Sequence, residues 1–404
     1  MTRRAGFLRG HAIAAVAIVA AAAAAVGLAV PALAAPSSRF ASADRAGTAA
    51  AVPWSKVGPG WALATYSATH AGEGVKPKAG ATTLYLVDPQ GGRYKLFTWP
   101  AHSSQSGWYL LGWSGDTTRA LFSSLPGSAG RQHVYELQLR TGKVTSFRLP
   151  AKVTAVGYTR PDGLNILAEK GTLGNGNSTI TLQRYSLAGQ LQTSLAAVKG
   201  LDLFAGISGI PSAPYNSGGT KLAAGTSNGL VLISNAGGVI RKLPVPGVKF
   251  GCDAVRWWSS STILASCSVG NEPGPQLWLV PVNGAKPKAQ TPPRTSGFDL
   301  GDFNSWQLSS GLYVDGFGAC GTLVIGRQPA HGKEHRVNVP GAASSLIVDA
   351  TKSQLMVERI NGCNPGVSLV WFNPTMKTMK IAIPVGKNQE GVTGVAPWFI
   401  SGKY

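Results

Sequence analysis

The sequence predicts an all-β fold: seven four-stranded blades arranged as a β-propeller and closed by strand pairing between the two ends of the chain. Three observations carry this. A strand–turn–strand hairpin recurs seven times, starting at Leu84, His133, Ile180, Leu230, Gln276, Thr322 and Val367, and the spacing of about 45–50 residues is the length of a propeller blade. Within each copy apolar and polar residues alternate with the period of two that marks half-buried strands. The 404 residues include 52 Gly and 26 Pro, the turn formers that so many strand ends require. An apolar share of 44% with only 13% charged residues excludes general disorder. The even spread of apolar residues excludes a polytopic membrane protein.

The elements follow in chain order. Residues 1–34 read as a secretory signal peptide. Arg3, Arg4 and Arg9 form a basic start without acids, Ala12–Val30 is an uninterrupted apolar run, and Ala32-Leu33-Ala34 is a small-x-small cleavage site. An uncleaved anchor is the alternative, because such a run nearly spans a bilayer. Thr2–Leu8 is similar to a twin-arginine export signal with one extra residue. Residues 35–53, rich in Ala and Ser, read as a flexible linker, and 54–404 as the propeller. The formal charge is +20. Removing the signal leaves 34 basic and 17 acidic residues, a charge of +17.

In the propeller the recurrent hairpins are strands c and d, with Gly-Gly, Thr-Gly, Ala-Gly and Asn-Gly tips that supply the positive φ of tight turns. A second hairpin, strands a and b, lies between them. Trp113–Phe122, Tyr215–Ala224 and Val348–Val357 share one spacing: an aromatic or apolar residue, a short polar stretch, then an apolar strand. Arg160-Pro161-Asp162-Gly163 is a strong turn signal at the same place. These segments resemble the W-S-P-D-G-K-x-L-A-F repeat of TolB-like, WD40-like propellers. The resemblance implies the fold and brings no catalytic residue with it. The first blade lacks a strand a of its own, and Val392–Trp398 stands where an eighth unit would begin. It is expected beside Trp61–Ser67, closing the ring and protecting the sheet edges.

Four cysteines, an even count in an exported chain, argue for disulfides. A two-residue turn at Ser259-Ser260 makes opposed positions sum to 519, as 252 and 267 do, so Cys252 and Cys267 face each other across one hairpin. Cys320 and Cys363 sit in equivalent b–c loops of neighbouring blades, and a bond between them would staple blade 6 to blade 7. No metal site or other cofactor is expected. There is no C-x-x-C, and His331 and His335 belong to a c–d hairpin on the opposite face.

The d–a and b–c loops of a propeller share one face, the mouth; the a–b and c–d turns share the other. The longest mouth loops and their flanks offer a candidate ligand mouth of Asp253, Arg294, Phe298, Asp299, Asp302, Trp306, Asp315 and Glu358, an aromatic–carboxylate mixture suited to a sugar or peptide. The same mixture also serves plain loop packing. Basic residues collect on c–d hairpins and outer strands: Arg93, Lys95, Arg140, Lys143, Arg241, Lys242, Lys286, Lys288, Lys333, Arg336, Lys377 and Lys380. Such a rim draws anionic wall or membrane polymers, and it also keeps outer strands from pairing with other chains. Nucleic acid is not an expected partner, because the charge is dispersed over the blades of an exported protein.

Enzyme signatures are largely absent. No sialidase-type Asp-box and no G-x-S-x-G elbow occur, and His70 and His102 are the only histidines near the mouth. The expectation is therefore a secreted, monomeric, non-catalytic binding or interaction module of the bacterial envelope or exterior, with a protein or cell-wall polysaccharide as ligand. The alternative is a glycosidase or lyase, which would need Asp253, Asp302, Asp315 and Glu358 to converge around an open pocket.

Overall fold

The computed structural model describes residues 46–68, 80–99, 108–124, 131–171, 179–199, 215–270, 274–293, 300–360, 366–386 and 390–398. They form seven antiparallel sheets, the seven blades of a β-propeller. Blade 2 runs Tyr109–Trp113, Arg119–Ser123, His133–Gln138, Val144–Arg148, with each strand paired to the next. Blade 3 repeats this order over Val153–Tyr158, Asn165–Lys170, Thr179–Ser186 and Leu191–Lys199. Blade 5 uses Val248–Ser259, Thr262–Val269, Pro275–Pro281 and Lys288–Ala289. Blade 6 uses Asp302–Leu308, Gly311–Phe317, Leu323–Gln328 and His335–Val337, and blade 7 uses Ser344–Ala350, Leu355–Ile360, Val367–Asn373 and Thr378–Ile383.

Among the described residues, blades 1 and 4 differ from this order. In blade 4, Lys221–Thr226, Gly229–Ser234 and Val239–Pro244 are strands b, c and d, and the described part of strand a is the bridge from Tyr215 to Leu222, residues 200–214 lying outside the described residues. Blade 1 takes its strand a from the far end of the chain. Gly391–Pro397 pairs antiparallel with Ala62–Ser67, followed by Thr82–Val87 and Arg93–Trp99. The expected closure is thus in place. It is reinforced by the Trp398 amide donating to the Trp61 carbonyl at 2.7 Å and the Trp371 indole donating to the Asp88 carbonyl at 2.9 Å. A further strand, Ala46–Thr48, runs parallel to Arg93–Lys95 on the outer edge of blade 1, so this part of the sequence-read linker joins the sheet.

Several b and c strands carry runs of consecutive buried residues, because each blade is covered by a neighbour on both faces. Leu230, Val231, Leu232 and Ile233 are consecutive and all buried, the pattern of a sheet packed on two sides. The outer strands are more exposed, as in Val144–Arg148, where no residue is buried. The core is a series of inter-blade layers. The layer across the closure seam joins Leu346, Val348, Met356, Leu369 and Trp371 of blade 7 to Ala62, Ala64, Val392 and Val395 of blade 1.

Cys252 and Cys267 are opposed in register and bonded, with their Cα atoms 4.0 Å apart. The hairpin between them differs from the sequence reading. Ser259 pairs with Thr262, so the tip is Ser260-Ser261, one residue later than expected. Register shifts between Ala254 and Arg256 and between Trp257 and Ser259 absorb the difference and restore the cysteine pairing. The bond fits an oxidising, extracytoplasmic compartment. Cys363 and the side chain of Cys320 lie outside the described residues. Among the described residues no helix is long and apolar enough to cross a membrane.

Candidate functional site

Of the expected mouth residues, Arg294, Phe298 and Asp299 lie outside the described residues. The other five are on strands. Asp253, on strand a of blade 5, is exposed. Asp302 and Asp315 have no exposed surface, and Trp306 is 2% exposed in the layer between blades 6 and 7. Glu358 is half-buried on strand b of blade 7.

Register explains the burial. Thr65, Ser123, Glu169, Gly225, Ser266, Asp315 and Glu358 occupy one equivalent position of strand b in the seven blades. Their strand c partners are Leu84, Val134, Leu182, Leu230, Leu277, Ile325 and Leu369, an aliphatic residue every time. The position abuts strand a of the following blade. The Ser266 hydroxyl donates to the Asp302 carbonyl at 3.3 Å, and the Asp315 carboxylate accepts the Ile347 amide at 2.8 Å. At Gly225 a Cβ would run into the Cys252 carbonyl. Small or hydrogen-bonding side chains are required there, and a carboxylate is one solution, because a buried backbone N–H needs an acceptor.

Asp315 belongs to a seam across three blades. It also accepts the Trp306 indole N–H at 3.2 Å. The Arg256 guanidinium of blade 5 lies 3.8 Å from the Trp306 ring centroid and donates to the Ser305 carbonyl. The Ser305 hydroxyl in turn donates to Gln290 at 2.7 Å. A carboxylate held by a backbone amide and an indole, behind stacked side chains, is a structural bolt and not an open general acid.

Glu358 differs. Its only resolved perturbation is burial, which pushes its carboxyl from 4.5 up to about 7. A carboxyl whose folded pKa lies above its unfolded value favours folding while protonated. That advantage is complete below about pH 4.5 and is lost as pH rises to about 7. Between pH 4.5 and 8, wild-type stability should fall relative to Glu358→Gln by on the order of 2 kcal/mol, a value reduced from the full shift because the residue keeps some solvent contact. Urea midpoints of both proteins across this range test it, and parallel profiles would refute it.

Among the described residues the charge distribution leaves an excess of basic over acidic side chains on the exterior. Six of the twelve described acids (Asp88, Glu136, Glu169, Asp302, Asp315 and Asp349) are buried. Glu136 is held by Arg119 at 3.1 Å and by the Tyr158 hydroxyl at 3.0 Å between blades 2 and 3. The twelve basic residues of the hairpin rim are all exposed except Arg93, which is half-buried and donates to the Ala382 carbonyl at 3.3 Å. On the a–b/c–d face, between blades 6 and 7, Ser310, Tyr313, Arg327, Val337, Pro374, Thr375 and Lys377 line a cleft of about 340 Å3. Of these, the sequence reading singled out only Lys377. The others come from three strands and two turns, and only the packing of two blades brings them together.

No protein-family model and no curated protein matches the sequence. Solved structures do match in fold. Prolyl oligopeptidase B from Galerina marginata shares 12% identity over 81% of this chain and 51% of its own, with a TM-score of 0.52, so the chain spans about half the length of that enzyme. The β-propeller domain of the Trilobed protease from Pyrococcus furiosus is 10% identical over 80% of this chain and 94% of its own, with a TM-score of 0.49. TolB from Acinetobacter baumannii is 13% identical over 87% and 86%, with a TM-score of 0.39. Likeness at these identities is one of fold.

Proposed function

We propose that this chain is an exported, non-catalytic binding module of the bacterial envelope or exterior, whose basic hairpin rim engages anionic wall or membrane polymers. The observation that carries the reading is the segregation of charge: half of the described acids are spent inside the blades, while eleven of the twelve rim cations point to solvent. A surface with a net excess of positive charge raises the local concentration of anionic polymers. The basic signal-like start and the Cys252–Cys267 bond support export. The glycosidase or lyase alternative loses support, because Asp302 and Asp315 are fully buried and Asp315 is tied to the backbone.

Retention of residues 35–404 on polyglutamate beads, against neutral dextran beads, tests this. Retention should be strong at low salt and fall steeply as the Debye length shrinks from about 10 Å at 0.1 M to about 3 Å at 1 M. Replacing Lys143, Lys286 and Lys333 together by Gln should lower the salt needed for elution. Absent or salt-insensitive retention would remove the rim from the function.

A further inference from the structure

The cleft between blades 6 and 7 has the chemistry of a small, charged receptor. Two cations stand at it, Arg327 at the end of strand c in blade 6 and Lys377 in the c–d turn of blade 7, and none of its lining residues is acidic. Arg327 is held in place: its guanidinium donates to the Ser310 carbonyl, and it lies over Gly311, where a Cβ would come within 3.2 Å of its Nε. Gly311 also has φ of +136°, a conformation L side chains rarely adopt. Lys377 is placed by a turn with its own fixed shape. The Asn373 side chain accepts the Thr375 and Met376 amides at 3.1 and 3.0 Å, and Lys377 itself has φ of +53°, uncommon outside glycine. Arg327 points to the side of its blade that faces blade 7, in phase with Ile325, which packs in the layer between these two blades. Glu334, the acid of the same c–d hairpin, lies over Gly326 and so on the other side of the blade.

Hydroxyls and apolar surface complete the lining. Ser310 and Tyr313 join their hydroxyls at 3.0 Å, and Thr375 adds a third. Hydroxyls both donate and accept, as polyols do. Pro374 and Val337 supply apolar wall. A volume of 340 Å3 lies at the lower end of small-ligand sites, larger than a bare oxyanion needs and too small for a polymer segment of several units.

We propose that this cleft binds one sugar-sized unit carrying a single anionic oxygen group, a glycosyl phosphate or a uronate, with Arg327 as the forked donor to the anion and Lys377 as its second charge. The proposal rests on the reading of the basic side as the polymer-facing surface and narrows it to a place where one unit of such a polymer is recognised.

Isothermal titration calorimetry at low salt with glucose 1-phosphate, glucuronate, inorganic phosphate and neutral glucose is the test. One equivalent of a charged sugar should bind, more tightly than inorganic phosphate and at least about tenfold more tightly than glucose, since hydrogen bonds to a charged group are stronger than those between neutral groups. Whether the phosphate or the carboxylate sugar binds better identifies the anion. Arg327→Gln and, separately, Lys377→Gln should each weaken binding about tenfold, and Lys199→Gln on blade 3 should not. Lys377 is exposed, so its variant keeps the test valid if loss of the Arg327–Ser310 contact harms folding. No binding of any charged sugar, equal binding of glucose, or wild-type affinity in Lys377→Gln would overturn the site. If polyglutamate still retains the protein in that case, the rim reading stands without the cleft. If charged sugars bind but polyglutamate does not, the cleft stands without the rim.

Discussion

A chain ending at Glu390 should not fold into a stable propeller. Its loss is confined to the C-terminal segment, yet that segment is the innermost strand of blade 1. Gly391–Pro397 pairs with Ala62–Ser67 at six positions and buries Val392, Val395 and Ala396. At about 1 kcal/mol for each hydrogen bond and about 1–2 kcal/mol for each buried side chain, its removal costs roughly 10 kcal/mol, within the range of a whole domain's stability. It also uncovers an open sheet edge. Circular dichroism and size exclusion should show a non-cooperative, aggregating species, and a peptide of residues 391–404 added in trans should restore a cooperative melt. Removal of residues 1–48, which takes away the parallel strand Ala46–Thr48 on the outer edge, should lower the melting temperature only slightly. A truncated chain melting within a few degrees of the full one would mean that the blades hold together without closure.

Much of the fold is legible in the sequence because its signals are local. The c–d hairpins and their turn residues fall where the repeat places them, and the missing strand a of blade 1 points to its replacement at the far end. The cysteine pair shows the limit of counting. The pairing is right although the turn is one residue off, because two register shifts lie between them. Such irregularities leave no periodic mark. The candidate site is less legible for a related reason. Alternation along a strand tells which residues share a face, but in a propeller both faces are covered, so an acid near a strand end cannot be assigned to solvent. Asp315 and Glu358 read as mouth carboxylates, yet they occupy the position held by Thr65 in blade 1 and Ser266 in blade 5. Aligning strand b against the aliphatic residue of strand c is the signal that finds this. The cleft between blades 6 and 7 has no equivalent signal, because Arg327 and Lys377 are 50 residues apart and meet only across a blade interface.

Asp315→Ala should be among the most damaging single substitutions in the protein. It leaves the Ile347 amide and the Trp306 indole N–H, both now satisfied by one carboxylate, without their acceptor. At about 1–3 kcal/mol for each orphaned donor, and with a cavity added, the loss is roughly 3–5 kcal/mol. Asp315→Asn should cost less but still destabilise, since an amide offers one acceptor oxygen where the carboxylate offered two. The sign of the Asn effect separates the two roles. A carboxylate kept for catalysis is commonly a strained one, and its replacement raises stability; a bolt between blades can only lose by it. Trp306→Phe removes one of the same two bonds, so the double variant Asp315→Ala, Trp306→Phe should lose less than the sum of the single losses. Denaturant unfolding of the four proteins measures this coupling. Additive losses would show that Trp306 and Asp315 do not act as one unit within blade 6, and a stabilised Asp315→Asn would show that Asp315 does not tie blade 6 to blade 7 and would return it to the candidates for ligand chemistry.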